Sequence, residues 1–172
     1  PSSAASDVYK RQAYSPADTS ADYVRYGIDP LIHLERIGVL DRNVTLGHAN
    51  HLTDIEVQAL IRTGASIAWA PAASMMWGHG STQHGRHAEL WRLGGNVSLG
   101  SDSANWSNNF DLFRQANLAL LTARESHQDR NYLHGEDVLE MATLGGARAC
   151  GMEEKIGSLE IGKRADVVIH SL

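Results

Sequence analysis

Cysteine, long apolar runs and concentrated positive charge are all scarce in this 172-residue chain. Its one cysteine, Cys150, cannot form an internal disulfide, so we expect a cytoplasmic protein. Cys150 lies on the apolar side of its predicted helix, so we expect it in the core. No apolar run approaches the roughly 18 residues that cross a membrane, and we expect no membrane partner. The net charge of −5 includes no basic patch, so we expect no nucleic-acid partner either.

The composition that remains is typical of a soluble enzyme domain. Hydrophobic residues make up 42% of the chain, which is enough for one core. Nine histidines are many for this length and favour a metal site. Residues 1–11 differ from the rest, because they have neither the apolar core of a secretory signal nor an amphipathic face. We expect them to lie outside the fold.

Three segments repeat one order of strand, loop and helix. Short apolar runs predict strands at residues 44–47, 66–70 and 96–101. The amphipathic stretches that follow predict helices at residues 53–62, 84–93 and 111–124. The predicted buried face of the last helix is Leu112, Phe113, Ala116, Leu120 and Leu121. Strands that alternate with helices indicate βα units and a parallel sheet.

The segments on either side extend this pattern. Residues 18–26 and 30–38 predict two helices ahead of the first strand. Residues 135–150 predict one continuous helix, with buried residues at Val138, Leu139, Met141, Ala142 and Ala149. Residues 156–169 predict two strands joined by a turn at Gly162 and Lys163. Such a tail suits a small sheet outside a barrel.

Two polar residues stand directly after predicted strands. Asp102 follows the third strand, at the rim where βα barrels carry their active sites, which favours a metal-binding or catalytic role. A strand-end aspartate can equally cap the next helix. His48 ends the first strand in the same way, and its alternative is a buried, hydrogen-bonded histidine.

The loop at residues 74–87 is rich in glycine, serine and histidine. Its glycines permit close approach to a ligand, and Trp77 and His79 can stack on or hydrogen-bond a planar ring. The alternative is a solvated loop whose His84 and His87 begin a helix. Those two histidines form a His-x-x-His pair, but no third ligand stands near them in the sequence, so the metal signal is weak.

The segment after Asp102 supplies two further candidates for substrate binding. Asn105 and Trp106 follow it on the same rim, and Trp106 can form a wall of the pocket. The alternative is that Ser107 or Asn108 simply caps the next helix.

The order of short motifs resembles that of a known family. Gly-His ends at His48, and a Pro-Ala-x-Ser loop ends at Ser74. Leu-Gly-Ser-Asp-Ser contains Asp102, and Met-Ala-Thr-x-Gly-Gly-Ala-Arg begins at Met141. Ile-Gly-Ser-Leu-Glu-x-Gly-Lys-x-Ala-Asp-Val-Val begins at Ile156. In this order the motifs resemble the C-terminal half of the amidohydrolase superfamily, within the branch of cytosine deaminases, S-adenosylhomocysteine deaminases and triazine hydrolases.

The resemblance covers residues 12–172 and implies a fold. It implies an α/β protein with a partial (β/α)8 TIM barrel, the last three or so βα units, over residues 12–153. Residues 154–172 would then supply C-terminal strands of a small composite β-sheet domain.

The resemblance also implies a chemistry. Asp102 matches the metal ligand after the eighth barrel strand, and His48 matches the histidine after the sixth, which contacts the attacking water or the substrate. One divalent cation, zinc or iron, would lower the pKa of its water toward about 7. Asp102 would carry the proton to the leaving group, and a small-molecule aminated heterocycle would be hydrolysed at a carbon–nitrogen bond.

One family motif is missing from the sequence. The His-x-His pair that follows the first barrel strand in the superfamily occurs nowhere in this chain. We therefore expect an N-terminally truncated fragment that is inactive by itself. Three other interpretations stay open: a chlorohydrolase of a triazine-like ring, a non-catalytic barrel that acts as a scaffold, and a barrel that binds a phosphorylated metabolite. Homo-oligomer formation also stays open.

Overall fold

The computed structural model describes residue 13, residues 15–103 and residues 110–169. Within them, three strands form one parallel sheet in the order β1-β2-β3. The strands are β1 (Thr45–Gly47), β2 (Ser66–Trp69) and β3 (Asn96–Leu99). Leu46, Ile67 and Val97 lie side by side across the sheet and are fully buried. The α/β class and the parallel sheet are confirmed, and the partial barrel stays a prediction.

Helices connect and flank the strands. The described helices are α1 (Pro16–Tyr26), α2 (Pro30–Arg36), α3 (Asp54–Thr63), α4 (Pro71–Met76), α5 (Ser81–His84), α6 (His87–Arg92), α7 (Leu112–Ser126), α8 (Gly135–Ala142) and α9 (Leu144–Ala149). None of these described helices is long and apolar enough to cross a membrane. Helix α3 ends where Gly64 adopts a left-handed φ of 73°, so that the chain can turn back into β2.

Glu56 joins helices α2 and α3 through a fully buried carboxylate. Its Oε1 accepts the Leu31 N–H at 3.0 Å, and its Oε2 accepts the Thr53 N–H at 3.0 Å. The second bond is half of the capping box that begins α3. Burial raises the pKa of Glu56, although these hydrogen bonds oppose the rise.

We predict that Glu56→Gln destabilises the chain by about 1–3 kcal/mol, because one oxygen becomes an NH₂ group that faces an N–H donor. Urea unfolding of the 172-residue chain measures the effect. The exposed Glu154 gives a matched control, and Glu154→Gln is expected to change the free energy of unfolding by less than about 0.5 kcal/mol. Equal stabilities of the two variants would contradict the conclusion that the Glu56 carboxylate stabilises the contact between α2 and α3.

The predicted loop at residues 74–87 is partly helical. Pro71 occupies the first turn of α4, where its fixed φ suits a helix start. His84 belongs to α5, and the next helix begins at His87 rather than at His84 as predicted. The break falls at Gly85, where a Cβ atom would lie 2.3 Å from the Ser81 carbonyl oxygen. Only glycine fits this close approach.

Helix α7 packs through a face that agrees only in part with the prediction, because Ala116 is buried and Leu120 is half-buried against the core as expected. Its buried residues are Gln115, Ala116, Ala119, Thr122 and Ala123. Phe113 and Leu121, which were expected inside, are 56% and 52% exposed. Small side chains allow the helix to approach its neighbours closely, and this leaves the larger apolar residues on its outer side.

The predicted helix over residues 135–150 is two helices. Thr143 separates α8 from α9 with a φ of −117° and a ψ of −86°, outside the helical region. The break lets Gly145 reach β3, where a Cβ atom would lie 2.6 Å from the Val97 carbonyl oxygen. Leu139 was expected to be buried and is 52% exposed, whereas Met141 is fully buried as predicted.

The chain after α9 differs most from the prediction. Residues 154–169 contain a turn at residues 161–163, but no strand forms in this described part. Leu159, Ile161 and Ile169 are at least 85% exposed. A two-stranded hairpin is marginally stable without an apolar surface to cover, which explains why the pattern alone does not produce strands here. Cys150 lies just past α9 and is exposed, so its assignment to the core was wrong.

Candidate functional site

A cavity of about 270 Å³ opens at the carboxyl ends of the three strands. It is lined by His48, Ala68, Ala70, Gly100 and Asp102. The ladder extends beyond β1 to this point, because the His48 N–H donates to the Ala68 carbonyl at 3.0 Å. Parallel strands end at one edge of a sheet, so the side chains that follow β1 and β3 meet here.

His48 and Asp102 approach each other in this cavity. Nε2 of His48 lies 3.1 Å from Oδ2 of Asp102, and the two side chains are 1% and 15% exposed. Oδ2 is buried and meets no aligned hydrogen-bond donor among the described residues, so the contact with His48 is close without being a hydrogen bond. Oδ1 accepts the Ser103 N–H at 2.8 Å. Asp102 also has a left-handed φ of 59°, and such backbone strain is concentrated at functional sites.

Buried polar groups stand behind the His48 ring. Nδ1 of His48 lies 3.4 Å from Oγ of Ser74, which lies 3.4 Å from Oδ1 of Asn50. All three residues are at most 1% exposed. The Ser74 hydroxyl donates to Asn50 and therefore accepts from Nδ1–H of His48, so we assign the His48 tautomer with its lone pair on Nε2. The sequence singled out Ser74 only as part of a motif and gave Asn50 no role.

His79 belongs to the surroundings of this site, whereas Trp77 lies apart from the cavity. The His79 ring meets the His48 ring edge-on at 5.8 Å. The His79 carbonyl oxygen lies 2.9 Å from Nε2 of His51, whose pKa is lowered chiefly by burial. Trp77 is 55% exposed, follows α4, and is not among the residues that line the cavity.

The remaining candidates for substrate binding belong to the segment after Asp102. Asn105 and Trp106 lie outside the described residues, as do the alternative helix caps Ser107 and Asn108. The next described helix, α7, is capped by Asp111, whose Oδ1 accepts the Phe113 N–H at 2.9 Å. Substrate contacts from Asn105 and Trp106 therefore stay predictions.

His87 is a buried residue next to the site. The sequence did not indicate its role. Its Nε2 lies 2.5 Å from the His48 carbonyl oxygen, and its ring stacks on Trp69 at 4.7 Å with an interplanar angle of 5°. Burial lowers the pKa of His87 to about 4, so its ring is neutral near pH 7. His84 lies instead against His51, with 5.4 Å between the ring centroids. His84 and His87 therefore do not form the metal pair considered from the sequence.

Comparison with known proteins adds a family to this geometry. The model of the amidohydrolase family matches residues 15–172, which is nearly the whole chain. The chain belongs to the amidohydrolase family. Its resemblance to that family, expected from the order of motifs, is confirmed.

The amidohydrolase relatives similar to this chain include named deaminases. A 5-methylthioadenosine/S-adenosylhomocysteine deaminase of Desulforudis audaxviator is 35% identical over 84% of this chain and 33% of its own length. A 5'-deoxyadenosine deaminase of Methanothermobacter thermautotrophicus is likewise 35% identical over 84% of this chain and 33% of its own length. The chain thus spans about a third of the length of these curated relatives.

Solved structures of two named enzymes resemble the fold. An adenosine deaminase from Xanthomonas campestris with bound zinc matches with a TM-score of 0.85 and 29% identity, over 91% of this chain and 35% of that one. A mutant atrazine chlorohydrolase from Arthrobacter aurescens, complexed with zinc and atraton, matches with a TM-score of 0.79 and 27% identity. That match covers 88% of this chain and 33% of the chlorohydrolase.

Proposed function

We propose that this segment supplies Asp102 and His48 to the active site of a metal-dependent amidohydrolase that deaminates an aminated heterocycle. The observation that carries the proposal is the contact at 3.1 Å between Nε2 of His48 and the buried Oδ2 of Asp102, in a cavity at the carboxyl ends of parallel strands. The partial barrel over residues 12–153 belongs to the same proposal, as does a small-molecule substrate.

Oδ2 of Asp102 fits the role of a cation ligand. It is a buried carboxylate oxygen that meets no aligned donor from the part of the chain that the structure describes, a state that a bound cation would relieve. Within the described residues, no three histidine, cysteine, aspartate or glutamate side chains form a group that could hold a metal ion. Asp102 would therefore be one ligand of the cation, and the other ligands would come from residues outside the described part. One divalent cation, zinc or iron, would supply a water acidic enough to react at neutral pH.

Asp102 and His48 would handle the proton of that water. The Asp102 carboxylate takes the proton and delivers it to the amino nitrogen as the carbon–nitrogen bond breaks, so that ammonia leaves. The Ser103 N–H holds the other oxygen of Asp102 in place during this transfer. His48 accepts a hydrogen bond at Nε2 and so orients the water for attack, since its Nδ1–H faces Ser74.

An adenosine-type nucleoside is the substrate class that the relatives support. The proteins that share about 35% identity with this chain are named for deaminating 5-methylthioadenosine, S-adenosylhomocysteine or 5'-deoxyadenosine. A chlorohydrolase is the second candidate, because a structure of that name shares the fold at 27% identity. The higher identity of the deaminases favours loss of ammonia over loss of chloride.

One assay tests both candidates. The longest natural polypeptide that contains residues 15–172 is loaded with zinc and given S-adenosylhomocysteine or a chlorinated triazine. Ammonia release from the nucleoside is the expected result. Chloride release alone would replace deamination by dechlorination, and no turnover of any aminated or chlorinated ring would favour the scaffold interpretation. The 172-residue chain by itself is expected to be inactive, because its described part supplies Asp102 without a set of further ligands.

We predict that His48→Ala lowers kcat in the same polypeptide by roughly 10²-fold, because general acid–base and orienting groups contribute about this much. The zinc content is expected to stay near that of the wild type, since His48 orients the water and Asp102 binds the metal. Steady-state kinetics and metal analysis measure the two effects. His134→Ala is the control for kcat, at an exposed histidine that caps α8 and does not line the cavity. Unchanged kcat in His48→Ala would return His48 to the interpretation of a structural core histidine.

A further inference from the structure

His48 occupies a strained backbone position. Its φ is +66°, and the Ala49 N–H donates to the Gly47 carbonyl at 2.9 Å. A hydrogen bond that spans one residue defines a γ-turn, and a positive φ at that residue makes it the rarer form. His48 is the central residue of this γ-turn. Ala49 follows with a φ of +47°. Such conformations persist only when the surrounding structure holds them in place.

His87 supplies that restraint. It is the first residue of α6, is 1% exposed, and lies 2.5 Å from the His48 carbonyl oxygen through Nε2. A carbonyl can only accept, so Nε2 of His87 carries the hydrogen and Nδ1 does not. In the described part of the chain, Nδ1 has no hydrogen-bond partner. The one hydrogen bond made by this buried ring is thus directed at the strained turn.

Trp69 fixes the orientation of the His87 ring. The two rings are almost parallel, at 5°, with centroids 4.7 Å apart. Trp69 ends β2, next to the strand that His48 follows, so the stack ties α6 to the sheet at the level of the cavity. Stacking alone requires only a flat ring. The hydrogen bond to His48 requires an N–H donor, and the two contributions can therefore be separated.

We propose that His87 is a positioning residue for His48: by holding the His48 carbonyl, it fixes the γ-turn that directs the His48 ring toward Asp102. The importance of this for turnover rests on the function proposed above. The alternative is that His87 only fills space beside Trp69.

Two variants of His87 separate these roles. His87→Phe keeps a flat ring for the stack on Trp69 and removes the donor, whereas His87→Gln keeps an N–H donor near the position of Nε2 and removes the ring. In the longest natural polypeptide that contains this segment, we expect His87→Phe to lower kcat by about 10–100-fold with little change in KM. His87→Gln is expected to recover most of that loss.

A spectroscopic measurement gives an answer that does not depend on catalysis. In the ¹⁵N-labelled 172-residue chain, the imidazole nitrogen resonances of His48 are expected to shift in His87→Phe and to stay close to wild type in His87→Gln. If His87→Phe does not fold, His87→Gln decides alone. A kcat within about threefold of wild type supports the proposal, and a loss as large as that of His48→Ala overturns it.

The outcomes distinguish a failure of this proposal from a failure of the proposed function. Equal kcat for the folded His87→Phe and His87→Gln variants, together with a large loss in His48→Ala, overturns the positioning role and leaves the deaminase standing. If His48→Ala is fully active, the proposed function fails, and the nitrogen resonances then decide. Unshifted His48 resonances in His87→Phe overturn the positioning role, and shifted resonances support it.

Discussion

Asp102→Asn is expected to lower kcat by about 10³-fold or more, because it removes both a metal ligand and the proton carrier. The amide that replaces Oδ1 or Oδ2 has nearly the same shape, so the strand end should keep its fold. Zinc content is expected to fall in the same variant, since a neutral amide binds the cation more weakly than a carboxylate. Steady-state kinetics and metal analysis on the longest natural polypeptide that contains residues 15–172 measure both quantities.

A surface aspartate provides the control for this substitution. Asp129 is exposed, and its side-chain Oδ1 accepts the nearby Asn131 N–H at 2.8 Å. Asp129→Asn is expected to leave kcat and zinc content unchanged. An Asp102→Asn enzyme that keeps a near-normal rate would show that Asp102 caps local structure, which is the alternative that its sequence position left open.

The second large effect concerns stability in acid. Burial lowers the pKa of His87 from its ordinary value of 6.5 to about 4. Between these values the unfolded chain binds a proton that the folded chain does not, so stability is lost as the pH falls from 6.5 to 4. The loss from this residue amounts to about 3 kcal/mol, which is fully expressed below pH 4 and absent above pH 6.5.

Urea unfolding at several pH values between 7 and 4 measures this loss. Other groups titrate in the same range, so the informative quantity is the difference in pH dependence between the wild type and His87→Gln. We expect the stability of the variant to fall by about 3 kcal/mol less than that of the wild type over this interval. Parallel pH profiles for the wild type and His87→Gln would contradict the neutral, buried state of His87.

The sequence predicted the parts of the site that depend on strand order. Local apolar runs locate β1, β2 and β3, and parallel pairing then places the residues after them at one edge. His48 and Asp102 meet at 3.1 Å although they are far apart in the chain. No side-chain detail is needed for that prediction, because the backbone topology alone brings these two positions together.

The features that the sequence did not predict depend on packing partners. Helix α7 buries small residues such as Ala119 and exposes Phe113, and the spacing of apolar residues cannot distinguish these two faces. The tail after α9 has the alternation of strands, but strands need a neighbour that local pattern does not specify. His87 lies in a polar stretch, so its burial against Trp69 follows only from the turn at Gly85 and the start of α6.

The position of the bound zinc decides whether Asp102 is a metal ligand. Crystals of the zinc-loaded natural polypeptide that contains residues 15–172 would be measured at the zinc absorption edge. We expect an anomalous peak about 2.0–2.2 Å from a carboxylate oxygen of Asp102, beside His48. A well-occupied zinc that lies elsewhere, with Asp102 bound only to protein groups, would contradict it.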